Sequence, residues 1–149
     1  MAHTYSSLFF HLVWSTKKRL PLINPLLQKR LYDYIGGVIR KQNGDLIQIG
    51  GMSDHIHIFL KIPTHCSIAD FVRNIKSNSS LFINKNFSLN KFEWQEGYGA
   101  FSVSFSKQDI VKKYIANQEK HHKNDSFDSE FVKLFEKHEI DYEKKYLFN

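Results

Sequence analysis

His55 and His57 stand two residues apart in Asp54-His55-Ile56-His57-Ile58-Phe59-Leu60-Lys61-Ile62, a stretch whose strict alternation reads as a β-strand. One face carries Ile56, Ile58, Leu60 and Ile62 and belongs to a core; the other carries His55, His57 and Phe59. Side chains at i and i+2 on one side of a strand lie about 7 Å apart. Two imidazoles so placed either converge on one divalent ion or decorate a half-exposed strand, and a metal site needs a third ligand from elsewhere in the chain. The lone cysteine, Cys66, excludes an internal disulfide framework and any multi-cysteine zinc site, which leaves imidazole, carboxylate and amide ligands. The other residues of chemical interest are Tyr114 and Gln118, four apart and therefore neighbours on one helical face. Alone, such a tyrosine is packing and such a glutamine faces solvent. Beside the histidines the pair acquires meaning.

The elements that must position these groups follow from periodicity. Residues 5–14 place Leu8, Phe10, Leu12 and Trp14 on one face and Phe9, His11 and Val13 on the other, the pattern of a central strand covered on both sides. Lys17-Lys18-Arg19 and Pro21 punctuate it. Asn24-Pro25 opens a helix with Leu27, Leu31, Tyr34, Ile35 and Val38 at helical spacing, and Gly44 marks its stop. A strand over 46–49 precedes Gly50-Gly51 and pairs antiparallel with the histidine strand, which Pro63 closes. Ser67-Ile68-Ala69-Asp70 resembles a capping box, opening a helix that buries Ile68, Phe71, Val72, Ile75, Ser79, Phe82 and Ile83. Arg73 and Lys76 lie off that stripe among Asn74, Ser77 and Asn78, an edge suited to phosphates and base edges or simply to solvent.

Two short strands are expected at 92–95 and 100–105, around Glu96-Gly97-Tyr98-Gly99. The order is then β-α-β-β-α-β with one extra strand: an α+β, ferredoxin-like antiparallel sheet with two helices on one face and the histidine face open. Ser106-Lys107-Gln108-Asp109 caps a third helix over about 107–123, on which Ile110, Val111 and Ile115 flank Tyr114 and Gln118 as an apolar docking band. Ser126 opens a last helix with Phe127, Phe131, Leu134 and Phe135 inward, and a tail from Tyr142 to Tyr146 packs on it, so that helix and tail fill about 127–149.

Residues 1–149 are expected to form one domain, since 42% hydrophobic and 15% aromatic content suffices for a core and no repeat or low-complexity linker divides the chain. No apolar run is long enough to span a bilayer and Met1-Ala2-His3-Thr4 does not read as a signal segment, so a cytoplasmic location with no membrane partner is expected. A net charge of +6 and a pI near 9.3 suit a polyanionic partner. Of the eight histidines, His3, His65 and His138 have no evident partners in sequence.

Taken together, His-hydrophobic-His on a strand, a later helix with Tyr-x-x-x-Gln, a basic chain and a ferredoxin-like order resemble the single-tyrosine HUH transposases of the insertion sequence 200/605 family. The likeness runs through nearly the whole chain. It includes Phe10-His11-Leu12-Val13-Trp14, Asp54-His55-Ile56-His57, Lys76-Ser77-Asn78-Ser79, Trp94-Gln95-Glu96-Gly97-Tyr98-Gly99-Ala100-Phe101-Ser102-Val103-Ser104 and Tyr114-Ile115-Ala116-Asn117-Gln118. Ser53 departs from the pattern, in which proline is common at this turn. The resemblance implies His55, His57 and Gln118 as ligands of Mg²⁺ or Mn²⁺ and Tyr114 as the nucleophile. It further implies single-stranded DNA with subterminal hairpins as substrate, a 5′-phosphotyrosine intermediate, and a homodimer whose active sites are completed in trans.

Arg73, Lys76, Lys17, Lys18 and Arg19 are the corresponding candidates for contacts to the DNA backbone. Three other readings share parts of the pattern. A domesticated relative acting on genomic repeat hairpins has the same catalytic residues; a hairpin-binding protein without catalysis uses only the basic surface; a zinc hydrolase on His55 and His57 needs a carboxylate base, and strand alternation puts Asp54 on the wrong face.

Overall fold

The computed structural model describes residues 3–87, 91–123 and 125–143. Its strands are β1 (Phe9–Ser15), β2 (Asp45–Met52), β3 (His55–Lys61) and β4 (Gly99–Val103). They pair antiparallel throughout in the order β2-β3-β1-β4, the ferredoxin-like arrangement. Helices α1 (Pro25–Lys41) and α2 (Ile68–Asn86) cover one face. There Leu12, Trp14, Ile56, Ile58 and Leu60 of the central strands meet Leu31, Ile35, Phe71 and Ile75 of the helices.

Local chemistry sets the helix limits. The Asn24 side chain accepts a hydrogen bond from the Leu27 amide at 2.8 Å, with Pro25 at the first helical position. At the far end of α1 it is Asn43, with φ of 63°, that takes the left-handed conformation. Gly44 is required for space instead, since a Cβ there would stand 2.6 Å from the Phe71 ring. Ser67 caps α2 by accepting from the Asp70 amide at 3.1 Å. The Asp70 carboxylate pairs with Arg73 at 2.9 Å, so only half of a capping box is visible.

Several expectations are corrected. Residues 92–95 form no strand: Thr16 and Trp94 make an isolated bridge, and the Asn84 side chain takes both backbone groups of Phe92, at 2.8 and 3.0 Å. The helix expected over 107–123 breaks at Asn117 (φ −101°, ψ 26°) into α3 (Gln108–Ala116) and α4 (Gln118–His121). Its N-cap is Lys107 with no side-chain bond, preceded by a 3-10 turn at Phe105–Lys107.

The histidine face is not open. α3, α4 and α5 (Phe127–Lys137) lie over it, and Phe127, Phe131 and Phe135 form a second core with Val13 and Phe101. An aromatic stripe at i, i+4 and i+8 needs apolar cover, and the second face of the sheet provides it. His55 and His57 are consequently 0% exposed rather than half-exposed. Gly50 seats α3: the Ile115 carbonyl oxygen occupies the position a Cβ would take. Tyr142 stacks on Phe135 with ring centroids 5.6 Å apart, and the rest of the expected tail, 144–149, lies outside the described residues. No helix among the described residues is long and apolar enough to cross a membrane.

Candidate active site

β3 presents His55 and His57 to the C-terminal layer, and α4 begins at Gln118, directly beyond the break at Asn117. The break turns the glutamine inward: it is 2% exposed, with Oε1 2.9 Å from His55 Nε2. Tyr114, on the last full turn of α3, hydrogen-bonds through its hydroxyl to Glu130 Oε2. All four residues singled out for catalysis therefore meet at one buried centre.

The carboxylate at that centre is Glu130 of α5, which sequence reasoning missed. Its Oε1 lies 2.9 Å from His57 Nε2, 3.0 Å from His122 Nε2 and 3.5 Å from His55 Nε2. Its Oε2 accepts from Tyr114 and from Gln118 Nε2, the latter at 3.1 Å. The sequence does hold a signal: Glu130 falls three residues after Phe127 and four before Leu134, on the inward stripe, where an acid is out of place unless paired. His122 gave no such signal, because its position depends on the break at Asn117. His11 was legible only as a residue on the face of β1 opposite the aliphatic core; its Nε2 lies 2.7 Å from His57 Nδ1. Asp54 also joins the site. The turn preceding β3 interrupts strand alternation, and Asp54 Oδ1 lies 2.7 Å from His55 Nδ1.

Charge and burial fix the protonation states. Burial works against the Glu130 carboxylate, but hydrogen bonds from His122 and His57 outweigh it and hold the acid far below the ordinary carboxylate range. Burial lowers His57 despite the bond to Glu130, and burial together with His57 lowers His11 further. For His122, burial is outweighed by the hydrogen bond to Glu130 and the value rises. Tyr114 is pushed well up by burial and then by the charge of Glu130, so its phenol stays protonated in this arrangement.

Tyr114 faces a cleft of about 640 Å³ between α3 and α5, lined also by His11, Phe101, Lys107, Lys133 and Lys137. The cations proposed for DNA contact lie elsewhere. Lys17, Lys18 and Arg19 form a 3-10 turn in which Lys17 pairs with Glu93 at 3.1 Å and Arg19 with Asp128 at 2.8 Å. Arg73 is exposed on α2 and paired with Asp70. Lys76 turns inward and donates to the carbonyls of Gln95, Glu96 and Gly97 at 2.8, 3.2 and 2.6 Å.

A sheet of this topology, with a paired-histidine strand facing a tyrosine helix, defines a class, and residues 4–118 match the model of the family described as Transposase IS200 like. The chain belongs to that family and is a DNA-processing enzyme of the transposase type. Among its relatives, the transposase for insertion sequence element IS200 of Salmonella typhimurium is 29% identical over 128 residues, covering 79% of this chain and 81% of that protein. ISDra2 transposase TnpA of Deinococcus radiodurans is 26% identical over 115 residues, covering 73% and 82%.

Two solved structures share the fold. A candidate transposase from Deinococcus radiodurans superposes with a TM-score of 0.63 at 23% identity, covering 79% of this chain and 96% of that one. A REP-associated tyrosine transposase bound to a REP hairpin gives 0.62 at 14% identity, covering 82% and 74%.

Proposed function

We propose that this chain cleaves and rejoins single-stranded DNA at hairpin-marked element ends, with Tyr114 as nucleophile and His55, His57 and Gln118 as ligands of a divalent ion. The observation that carries the reading is the convergence of the Tyr114 hydroxyl and the Nε2 atoms of His55 and His57 on the two oxygens of one carboxylate. The donor set fits a divalent cation: these groups are buried, and among the described residues His55, His57, His122 and Glu130 offer ligand atoms within 4.8 Å of one another. A bound Mg²⁺ or Mn²⁺ supplies Lewis-acid polarisation of the scissile phosphate.

The chain's own groups do the rest. The phenol oxygen of Tyr114 attacks phosphorus, the bond to the 3′-oxygen breaks, and the departing 3′-oxygen takes up a proton. The product is a 5′-phosphotyrosine and a free 3′-hydroxyl. Attack by another 3′-hydroxyl on that phosphotyrosine reverses the step and conserves the phosphodiester energy. A phenol, with a pKa near 10, leaves more readily than an aliphatic alcohol, which keeps the two directions balanced. The cleft beside Tyr114, rimmed by Lys107, Lys133 and Lys137, gives a strand a path to the hydroxyl.

The structure of a relative on a REP hairpin supports a DNA hairpin as partner here as well. Lys17, Lys18, Arg19 and Arg73 are the proposed backbone contacts, with Lys76 holding the neighbouring loop. The same likeness keeps a second reading in view, a domesticated enzyme acting on genomic repeats with identical chemistry. We further propose that the working form is a homodimer in which the tyrosine helix is exchanged. The exposed Phe105 and Ile110 at the start of that helix, 74% and 59% accessible, support a second copy.

The test is cleavage of a labelled hairpin oligonucleotide from the flanking DNA, with Mg²⁺ or Mn²⁺ and with chelator. Metal-dependent cleavage lost in Tyr114→Phe, with hairpin affinity within about twofold of wild type, is expected. Undiminished cleavage by Tyr114→Phe would refute the assignment of the nucleophile.

A further inference from the structure

We infer that His122 of the segment after α4 and Glu130 of α5 complete, with His55 and His57, a cage of three imidazoles and one carboxylate that selects a late first-row ion of the Zn²⁺ or Co²⁺ type over Mg²⁺. The inference rests on the proposed role of His55 and His57 as ligands and goes beyond it in adding two donors and a metal class. Both added residues lie past Gln118, where the match to the family model ends.

Geometry gives the first argument. Three Nε2 atoms surround one oxygen, Glu130 Oε1, at 2.9, 3.0 and 3.5 Å. Tetrahedral ligands held at Zn–N distances of 2.0–2.1 Å stand roughly 3.3 Å from one another. The four atoms thus already have the spacing of a coordination tetrahedron.

The outward-facing ring nitrogens give an independent argument. His55 Nδ1 is held by the Asp54 carboxylate at 2.7 Å, His122 Nδ1 by the Asp125 carbonyl at 2.6 Å, and His57 Nδ1 by His11 at 2.7 Å. The Asp54 and Asp125 oxygens only accept, so His55 and His122 donate outward and, when neutral, turn the Nε2 lone pair toward the centre. Lone pairs facing a carboxylate oxygen repel unless a cation lies among them. Outward anchoring of this kind is how metal-ligating histidines are oriented.

The choice of ion follows from the donors. Mg²⁺ takes six oxygens and retains several waters, whereas imidazole nitrogens favour Zn²⁺, Co²⁺ and their neighbours. Glu130 is 1% exposed and the His122 side chain 6%, so the centre has little room for a hydrated ion. Gln118 fixes the carboxylate through its 3.1 Å bond to Oε2.

The experiment is titration of the metal-stripped full-length protein with Co²⁺, read by visible absorption, followed by competition with Zn²⁺ and Mg²⁺. A strong tetrahedral d–d spectrum, displaced by Zn²⁺ and untouched by millimolar-range Mg²⁺, is expected. His122→Ala and Glu130→Gln, shown to be folded by circular dichroism, should each weaken Co²⁺ binding about tenfold or more. A weak six-coordinate spectrum in the wild type, equal competition by Mg²⁺, or unchanged affinity in both variants overturns the cage. If His57→Ala abolishes binding in such a case, the two-histidine reading survives without it. If His57→Ala leaves Co²⁺ binding intact, the metal reading itself fails.

Discussion

Glu130 shows how one buried charge organises a site. Removing a carboxylate from water is costly unless hydrogen bonds replace the water, and His57, His122, Gln118 and Tyr114 all supply them. Lys76 is the corresponding cation on the far side of the sheet. Half buried beneath the 95–97 loop and over the Trp14 ring, it has its pKa lowered by desolvation to about 8 from 10.5. Between those values the unfolded chain binds more protons than the folded one, so the contribution of Lys76 to stability grows as pH rises from about 8 to 10.5. Urea unfolding at both ends of that window should therefore show a smaller pH-dependent gain in Lys76→Met than in wild type. Equal slopes would contradict the buried-ammonium account.

At the scale of elements, α3 and α5 are held by two different devices. α3 relies on close approach at Gly50, and Gly50→Ala should lift it from β2 at a cost of about 1–3 kcal/mol and with loss of cleavage, because Tyr114 and Gln118 move with it. α5 relies on its aromatic stripe, and Phe131→Ala should cost about 3–5 kcal/mol in urea unfolding, while wild-type stability in that variant would contradict the second core. These two devices mark what the sequence could convey.

The ferredoxin-like order and the inward faces of α1 and α2 were legible because alternation and helical spacing are local signals. Tyr114 and Gln118 were legible through their spacing in the family motif. The cover over the histidine face was not, since periodicity shows that a stripe needs burial without showing against what. The break at Asn117 erased the helical phase that would have connected Tyr114 to His122. Residues 92–95 alternate like a strand, yet α2 satisfies their backbone through Asn84 and Lys76, a tertiary effect beyond local pattern.

For the molecule as a whole, a basic chain carrying +6 brings its nucleophile to a buried histidine centre beside a cationic cleft. Whether one chain or two build the working site is a question of assembly. If the tyrosine helix is exchanged in the homodimer, mixing inactive His57→Ala with inactive Tyr114→Phe restores activity, because one of the two sites then receives both intact groups. Persistent inactivity of heterodimers verified by mass would show that each chain uses its own tyrosine.

The most direct test of the central claim is mass-spectrometric mapping of the covalent product from wild-type protein, a divalent ion and a hairpin oligonucleotide carrying the flanking cleavage site. The account predicts a nucleotide phosphate on the Tyr114 peptide, matched by an equal amount of free 3′-hydroxyl strand. Cleaved DNA with the Tyr114 peptide unmodified, or with the phosphate on another residue, would contradict it.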